Sequence, residues 1–138
     1  MKKISYDNLI QFHQELLTKI GLDKYSVDAV TTGLCETSLR GVDSHGVRLL
    51  PHYVKSSLSG RKNPKPKYNI SKTFPSIAHL DADNAFGHAA GMKSIEIAIE
   101  MAQVQGVGIV AVSNSSHPGA MASMALKAAR KGFIALAF

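Results

Sequence analysis

A hydroxyl, an imidazole and a guanidinium lie close together in the segment at residues 40–48, which is RGVDSHGVR. An imidazole such as that of His45 exchanges protons near neutral pH, and the Ser44 hydroxyl beside it can orient the ring. Arg48 suits a carboxylate, because its planar guanidinium can make two parallel hydrogen bonds. These residue types at this spacing suggest a site that binds an acid substrate and moves a proton.

The junction between two predicted helices positions this segment. Gly41 ends one helix, since glycine accepts the left-handed backbone of a C-terminal cap, and apolar residues at three- and four-residue spacing predict another helix up to Gly60. Asp43 or Ser44 is the expected N-cap, which places His45 in the first turn. The N–H groups and the positive dipole end there favour an anion and disfavour an imidazolium. On spacing alone, a capped helix with a surface histidine is the more common explanation.

Two earlier helices complete a predicted helical unit over residues 1–60. Ser5 is expected to cap the first helix, which ends at Gly21, and Ser26 is expected to cap the second. The prolines in residues 61–75 impose extended backbone on their predecessors, so this stretch is predicted to connect the unit to the rest of the chain.

Strands and helices alternate over residues 76–138. Strands are predicted at 77–82, 107–112 and 133–138, helices at 87–105 and 120–131, and a turn at the DADN sequence of 81–84. In the first of these strands, Ala78, Leu80 and Ala82 are expected to share one apolar face. The β-branched stretch at 107–112 is expected to be buried. This alternation predicts an α/β fold with a layered sheet.

A polar loop at 113–119 follows the second of these strands. Ligands of α/β sheets bind beyond the carboxyl ends of strands, and a loop of small polar residues that opens a helix can present N–H groups to a phosphate. His117 lies in this loop, although a histidine in such a place more often only caps it. The sequence contains neither Gly-x-Gly-x-x-Gly nor a Walker loop, so a standard dinucleotide fingerprint is absent.

Composition narrows the classes of function. The net charge is +6, but no aromatic residues are interleaved with the basic stretches, which argues against nucleic acid as a partner. No apolar run approaches ~20 residues, so no membrane-spanning helix is expected. The single cysteine, Cys35, excludes an internal disulfide, provides no metal cluster and fits a reducing cytoplasm.

Three segments together resemble the type 2 malate/L-lactate dehydrogenase family. They are RGVDSHG at 40–46 followed by PHYV at 51–54, LDADNAFG at 80–87, and GVGIVAVSNSSH at 106–117. The resemblance implies a non-Rossmann fold with a mixed sheet, in which 76–138 begins the cofactor-binding domain. It also implies that NAD or NADP serves to interconvert a 2-hydroxy acid and a 2-keto acid, such as malate, lactate, ureidoglycolate or sulfolactate, in a cytoplasmic homodimer.

Family members are well over twice as long, so this chain is expected to be a truncated and inactive part of such an enzyme. The alternative is a non-catalytic binding or dimerisation module of the same ancestry. Nothing in the resemblance calls for a metal.

The resemblance also implies roles for single residues. His45 would donate the proton to the carbonyl oxygen in reduction and Ser44 would orient it, while some members use the loop histidine, here His117, as the acid–base group. Arg48 would hold the substrate carboxylate, although many members carry their arginine at the position of Leu49. The residues expected to contact the nicotinamide nucleotide are His117, Pro118, Gly119, Ala120 and Met121.

Overall fold

The structure, a computed structural model, describes residues 4–138. Its helices and strands are α1 (Tyr6–Lys19), α2 (Lys24–Leu39), α3 (Leu50–Leu58), β1 (Asn69–Phe74), β2 (Ile77–Ala85), α4 (Gly87–Gln105), β3 (Ile109–Ser115) and α5 (Ala122–Ala129). The predicted α/β fold, a helical unit followed by alternating strands and helices, is confirmed. Among residues 4–138, no helix is both long and apolar enough to cross a membrane.

Side-chain caps fix the starts of the first two helices. The Asn8 amide donates to Ser5 Oγ over 3.2 Å, as the sequence predicts. The prediction that Ser26 caps α2 is wrong. Asp23 is the cap, because its carboxylate lies three residues earlier and accepts the Ser26 N–H over 2.7 Å. Ser26 is instead buried inside the helix.

The first three helices pack around a shared apolar core. Leu17 of α1 and Leu34 of α2 are fully inaccessible, and Tyr53 of α3 packs with them. Phe86, the residue before α4, inserts into the same core and stacks on Tyr53 with ring centroids 5.5 Å apart. The start of α4 is therefore anchored in the helical unit.

β2 is the central strand of a three-stranded mixed sheet. β1 pairs with it antiparallel and β3 pairs with it parallel. The predicted inward face of β2 is confirmed, since Ala78, Leu80 and Ala82 are buried. β1 lies inside the predicted connection at 61–75, where the sequence gives no strand signal because all six of its residues are exposed and no apolar alternation marks them.

The DADN sequence at 81–84 belongs to β2 and does not form the predicted turn. Asp83 and Asn84 adopt left-handed backbone, with φ of 49° and 58°, so they distort the strand without ending it. Asn63 donates to the Asp83 carboxylate over 2.8 Å, and Lys62 donates to the Asn84 side chain over 2.6 Å. These bonds tie the connection to the irregular end of β2.

Two predictions for this part of the chain are wrong, namely the burial of the strand at 107–112 and the existence of a strand at 133–138. The strand predicted as buried at 107–112 is found as β3 at an edge of the sheet, where Ile109 is 53% exposed and Val112 is 40% exposed. No strand forms at 133–138, because a strand needs a hydrogen-bonded neighbour and this stretch pairs with none of the described residues. Ile134 and Leu136 are almost fully exposed.

The 138-residue chain is expected to self-associate in solution. The outer edge of β3 presents unpaired backbone groups beside exposed apolar side chains, which is a template for pairing with another chain. Light scattering should therefore report a mass above that of the monomer, and Ile109→Lys should lower it. Val104→Lys is the matched control, because Val104 is an equally apolar, exposed residue on α4. A monodisperse parent chain, or equal effects of the two substitutions, would contradict this expectation.

Candidate active site

His45 lies in irregular backbone between α2 and α3. The structure has two short 3-10 turns here, Asp43–His45 and Val47–Leu49, and α3 begins only at Leu50. The predicted N-cap at Asp43 or Ser44 is therefore wrong, since the first turn is preceded by Val42 and has no side-chain cap. His45 does not lie in the first turn of an α-helix, so the helix-dipole argument does not apply to it.

Gly46 is the physical reason for this interruption. Its backbone is extended, with φ −99° and ψ −153°, and separates the two turns. A Cβ at Gly46 would overlap the Ser38 hydroxyl, which accepts the Val47 N–H over 2.9 Å. The close approach of α2 to Gly46 thus holds the segment that carries His45.

The predicted pairing of Ser44 with His45 is present in the structure. Ser44 Oγ and His45 Nδ1 are 2.9 Å apart. A hydrogen bond at Nδ1 fixes the ring orientation and leaves Nε2 as the nitrogen that can meet a substrate. Ser44 is exposed and His45 is half-buried, so the pair lies at the surface. Arg48 is exposed on the second 3-10 turn, one turn from the pair.

The structure brings together the two histidines that the sequence offers as acid–base groups. The rings of His45 and His117 meet edge to face, with centroids 5.9 Å apart and planes at 65°. His45 comes from the helical unit, and His117 comes from the loop at 116–121 that leaves β3. The same loop carries the remaining predicted cofactor residues, which are Pro118, Gly119, Ala120 and Met121. His117 is exposed, whereas Gly119 is buried and has a φ of +73°.

Contacts with the start of α4 hold this loop in place. The Gly87 N–H donates to Ser116 Oγ over 2.9 Å. A Cβ at Gly87 would overlap the carbonyl oxygens of Ser116 and His117, so only glycine permits this approach. The end of β3, from which the loop leaves, is held too, because the Asn114 side chain donates to the Asp81 carboxylate over 3.1 Å. The Asp83 N–H, and then Asn114, hold the pKa of Asp81 below its usual value.

His88 is a residue of this region that the sequence argument misses. Its ring is completely buried beneath the loop and lies 5.3 Å from the Tyr53 ring, centroid to centroid. Burial, together with the positive charge that His117 can carry, lowers the pKa of His88 to about 4. The surrounding AFGHAAG sequence indicates close packing by its small residues, but no sequence signal shows which loop covers the imidazole.

Stability should fall as the pH is lowered from 6.5 towards 4. An unfolded histidine has a pKa near 6.5, so the unfolded state binds more protons than folded His88 in this window. His88 contributes fully to stability above pH 6.5, and up to ~3 kcal/mol is lost by pH 4. Urea midpoints measured across this range should change less steeply in His88→Gln, while exposed His52→Gln serves as the control. Equal slopes for His88→Gln and the parent would refute the assignment.

An open cavity lies away from these histidines. It has a volume of about 380 Å³ between α2, α4 and α5, and its polar lining includes Tyr25, Glu96 and Lys127. Glu96 accepts hydrogen bonds from both of the other side chains, so the polar groups are already paired. Within residues 4–138, no three His, Cys, Asp or Glu side chains converge to hold a metal ion.

Comparison with known proteins places this geometry in context. A sequence model of one family, malate/L-lactate dehydrogenase, matches residues 4–138. A malate dehydrogenase of Pyrococcus abyssi is 42% identical over 97% of this chain, and a ureidoglycolate dehydrogenase (NAD(+)) of Escherichia coli is 35% identical over 97% of it. These alignments cover 37% and 38% of the two relatives.

A solved structure agrees with the sequence matches. The malate dehydrogenase of Pyrococcus horikoshii superimposes on 95% of this chain with a TM-score of 0.91 and 37% sequence identity. The match covers 38% of that protein. The chain therefore spans well under half the length of the proteins it resembles.

Proposed function

The chain belongs to the malate/L-lactate dehydrogenase family, and we propose that the whole protein transfers a hydride between NAD or NADP and a 2-hydroxy or 2-keto acid. The family resemblance of the sequence motifs is thereby confirmed. The observation that carries the proposal is the meeting of the Ser44–His45 pair with His117. A non-catalytic module of the same ancestry has no need to bring two surface histidines from different parts of the fold together, so the alternative is less well supported.

His45 is the proposed acid–base group. In reduction, the carbonyl carbon of the keto acid gains a hydride and its oxygen gains a proton from His45 Nε2. In oxidation, the same nitrogen takes the hydroxyl proton back. Ser44 supports this role because its contact with Nδ1 directs Nε2 away from the serine. His117 is the competing acid–base candidate, and its exposed ring beside His45 makes it a wall of the same site.

The loop at 116–121 suits a nicotinamide nucleotide. Gly119 has left-handed backbone and packs against the buried His88 ring, so the loop is supported on one side while the exposed His117 ring remains free to meet a flat ring or a phosphate. Pro118, Ala120 and Met121 add small or apolar surface next to His117. The nicotinamide ring, when bound, supplies or accepts the hydride. His117, Pro118, Ala120 and Met121 would hold that ring.

Arg48 is the proposed partner of the substrate carboxylate. Its exposed guanidinium lies on the turn that follows the Ser44–His45 pair. A planar guanidinium can grip a carboxylate with two hydrogen bonds, which would orient the neighbouring carbonyl towards His45. Malate, lactate, ureidoglycolate and sulfolactate all present such a carboxylate beside the reacting carbon.

We also propose that the whole protein is a cytoplasmic homodimer. Burial raises the pKa of the only thiol, Cys35, to about 11, so the cysteine is a packed and unreactive side chain that suits a reducing compartment. Size-exclusion chromatography with light scattering on the whole protein tests the dimer.

Replacing His45 in the whole protein should lower kcat far more than it weakens cofactor binding. Loss of a general acid typically costs ~10²–10⁴-fold in rate. His45→Gln and His117→Gln should be compared by steady-state kinetics and by cofactor fluorescence titration. We expect the larger loss of kcat at His45 and the larger loss of cofactor affinity at His117. The reverse ranking would assign the proton transfer to His117.

Arg48→Lys should weaken binding of the acid substrate, because lysine keeps the charge but cannot make the two-pronged contact. The expected change is a raised KM for the acid with an unchanged KM for the nicotinamide nucleotide. Arg61→Lys is the matched control, since Arg61 is exposed and belongs to the connection before β1. Unchanged kinetics for Arg48→Lys would show that another residue holds the carboxylate.

A further inference from the structure

The His88 ring fills a slot that two glycines make possible. Gly33 of α2 lies on one side, where a Cβ would overlap His88 Cδ2. Gly119 of the loop lies on the other side, where a Cβ would lie 2.5 Å from His88 Nε2. Tyr53 packs against the ring from α3. The imidazole thus contacts α2, α3 and the loop while it is attached to α4.

The slot gives His88 no hydrogen bond. Among residues 4–138, neither Nδ1 nor Nε2 has a partner, although the residue is fully buried. Burial of an unpaired polar group is unfavourable, so hydrogen bonding does not explain this ring. Proton relay to His117 is also excluded as its role in this arrangement, since no hydrogen bond joins the two. The role that remains for the ring is to fill space, through its shape and its fixed position against Gly119.

We propose that His88 is a positioning residue for the loop at 116–121. Its ring packs against α2 and α3 and determines the position of Gly119. The position of Gly119 in turn places His117 beside His45. Gly33 contributes to the same support, because the absence of a Cβ there leaves space for the His88 ring between α2 and the loop. The expected effect on catalysis rests on the proposed function. The support of the loop by His88 does not depend on that function.

The dimensions of the ring explain why other side chains would serve poorly. A phenylalanine ring is larger than an imidazole, and the contacts at Gly33 and Gly119 leave no room for the larger ring. Phenylalanine would therefore displace the loop. Alanine would leave a cavity under Gly119 and let the loop sink or fluctuate. An imidazole is intermediate in size between these two side chains and fills the space.

A double-mutant cycle between Gly33 and His88 in the whole protein tests the inference. Gly33→Ala adds one methyl group on α2, and the three atoms nearest to that methyl group all belong to the His88 ring. We expect Gly33→Ala and His88→Ala each to accelerate hydrogen exchange of the amides of Gly119 and Ala120, and to lower kcat/KM by ~10–100-fold, as misplacement of a catalytic group does. In the His88→Ala background, Gly33→Ala should have little further effect, because the ring that it strikes is gone.

His13→Ala is the matched control. His13 is also a buried histidine, at 1% exposure, and its Nε2 also has no partner among the described residues, but it lies in α1 and is absent from the contacts of the loop. This variant should lose thermal stability with parental loop exchange and parental kcat/KM. A His88→Ala protein that behaves like His13→Ala would overturn the proposal. Equal effects of Gly33→Ala with and without the His88 ring would overturn it too.

Two readouts separate this proposal from the proposed function. Amide exchange of the loop, and the position of the His117 ring signals in NMR spectra, report loop placement without any turnover. If the parent protein fails to bind NAD(P)H while His88→Ala still changes both readouts, the proposed function fails and the positioning role stands. If the parent is an active dehydrogenase and neither readout responds, the positioning role fails alone.

Discussion

The close contact between the first residue of α4 and the loop at 116–121 is the constraint on which the rest of the site depends. Gly87 approaches the carbonyl groups of Ser116 and His117 so closely that no Cβ fits between them. One residue earlier, Phe86 is buried in the core of the helical unit. These two consecutive residues therefore connect the helical core, the start of α4 and the loop that carries His117. The contact at Gly87 thus helps to fix the place of His117 beside His45.

The two histidines belong to parts of the fold that differ in how they hold a side chain. His117 is carried by a loop that follows a parallel strand, the usual place for a ligand site in an α/β sheet. His45 is carried by a 3-10 turn whose position depends on the packing of Gly46 against Ser38. In both places a glycine lets its main chain approach a neighbouring segment where a Cβ would not fit. These contacts would hold the two rings in place for the acid–base chemistry proposed above.

Local patterns in the sequence predicted the features that local physics determines. The Ser5 cap, the inward face of β2 and the full span of α4 follow from capping and periodicity, and they were recovered. The motif at 40–46 identified the family, although its predicted helix start was wrong. Side-chain competition explains the error at Ser26, where two possible caps stand three residues apart and the sequence does not say which amide lacks a partner. β1 was missed because its strand character comes only from pairing with β2.

The features that could not be predicted from the sequence are those that depend on tertiary contacts. The small residues around His88 indicate close packing, but they do not show what covers its ring, because Gly33 and Gly119, which enclose it, are far apart in sequence. The stretch at 133–138 shows the opposite case, because a strong strand pattern forms no strand without a neighbour among the described residues. Both cases have one cause. A pattern reports what a segment can do, whereas burial and pairing depend on which other segments come to lie against it. In this fold, glycines decide those approaches: Gly33, Gly46, Gly87 and Gly119 each admit another segment where a side chain would exclude it.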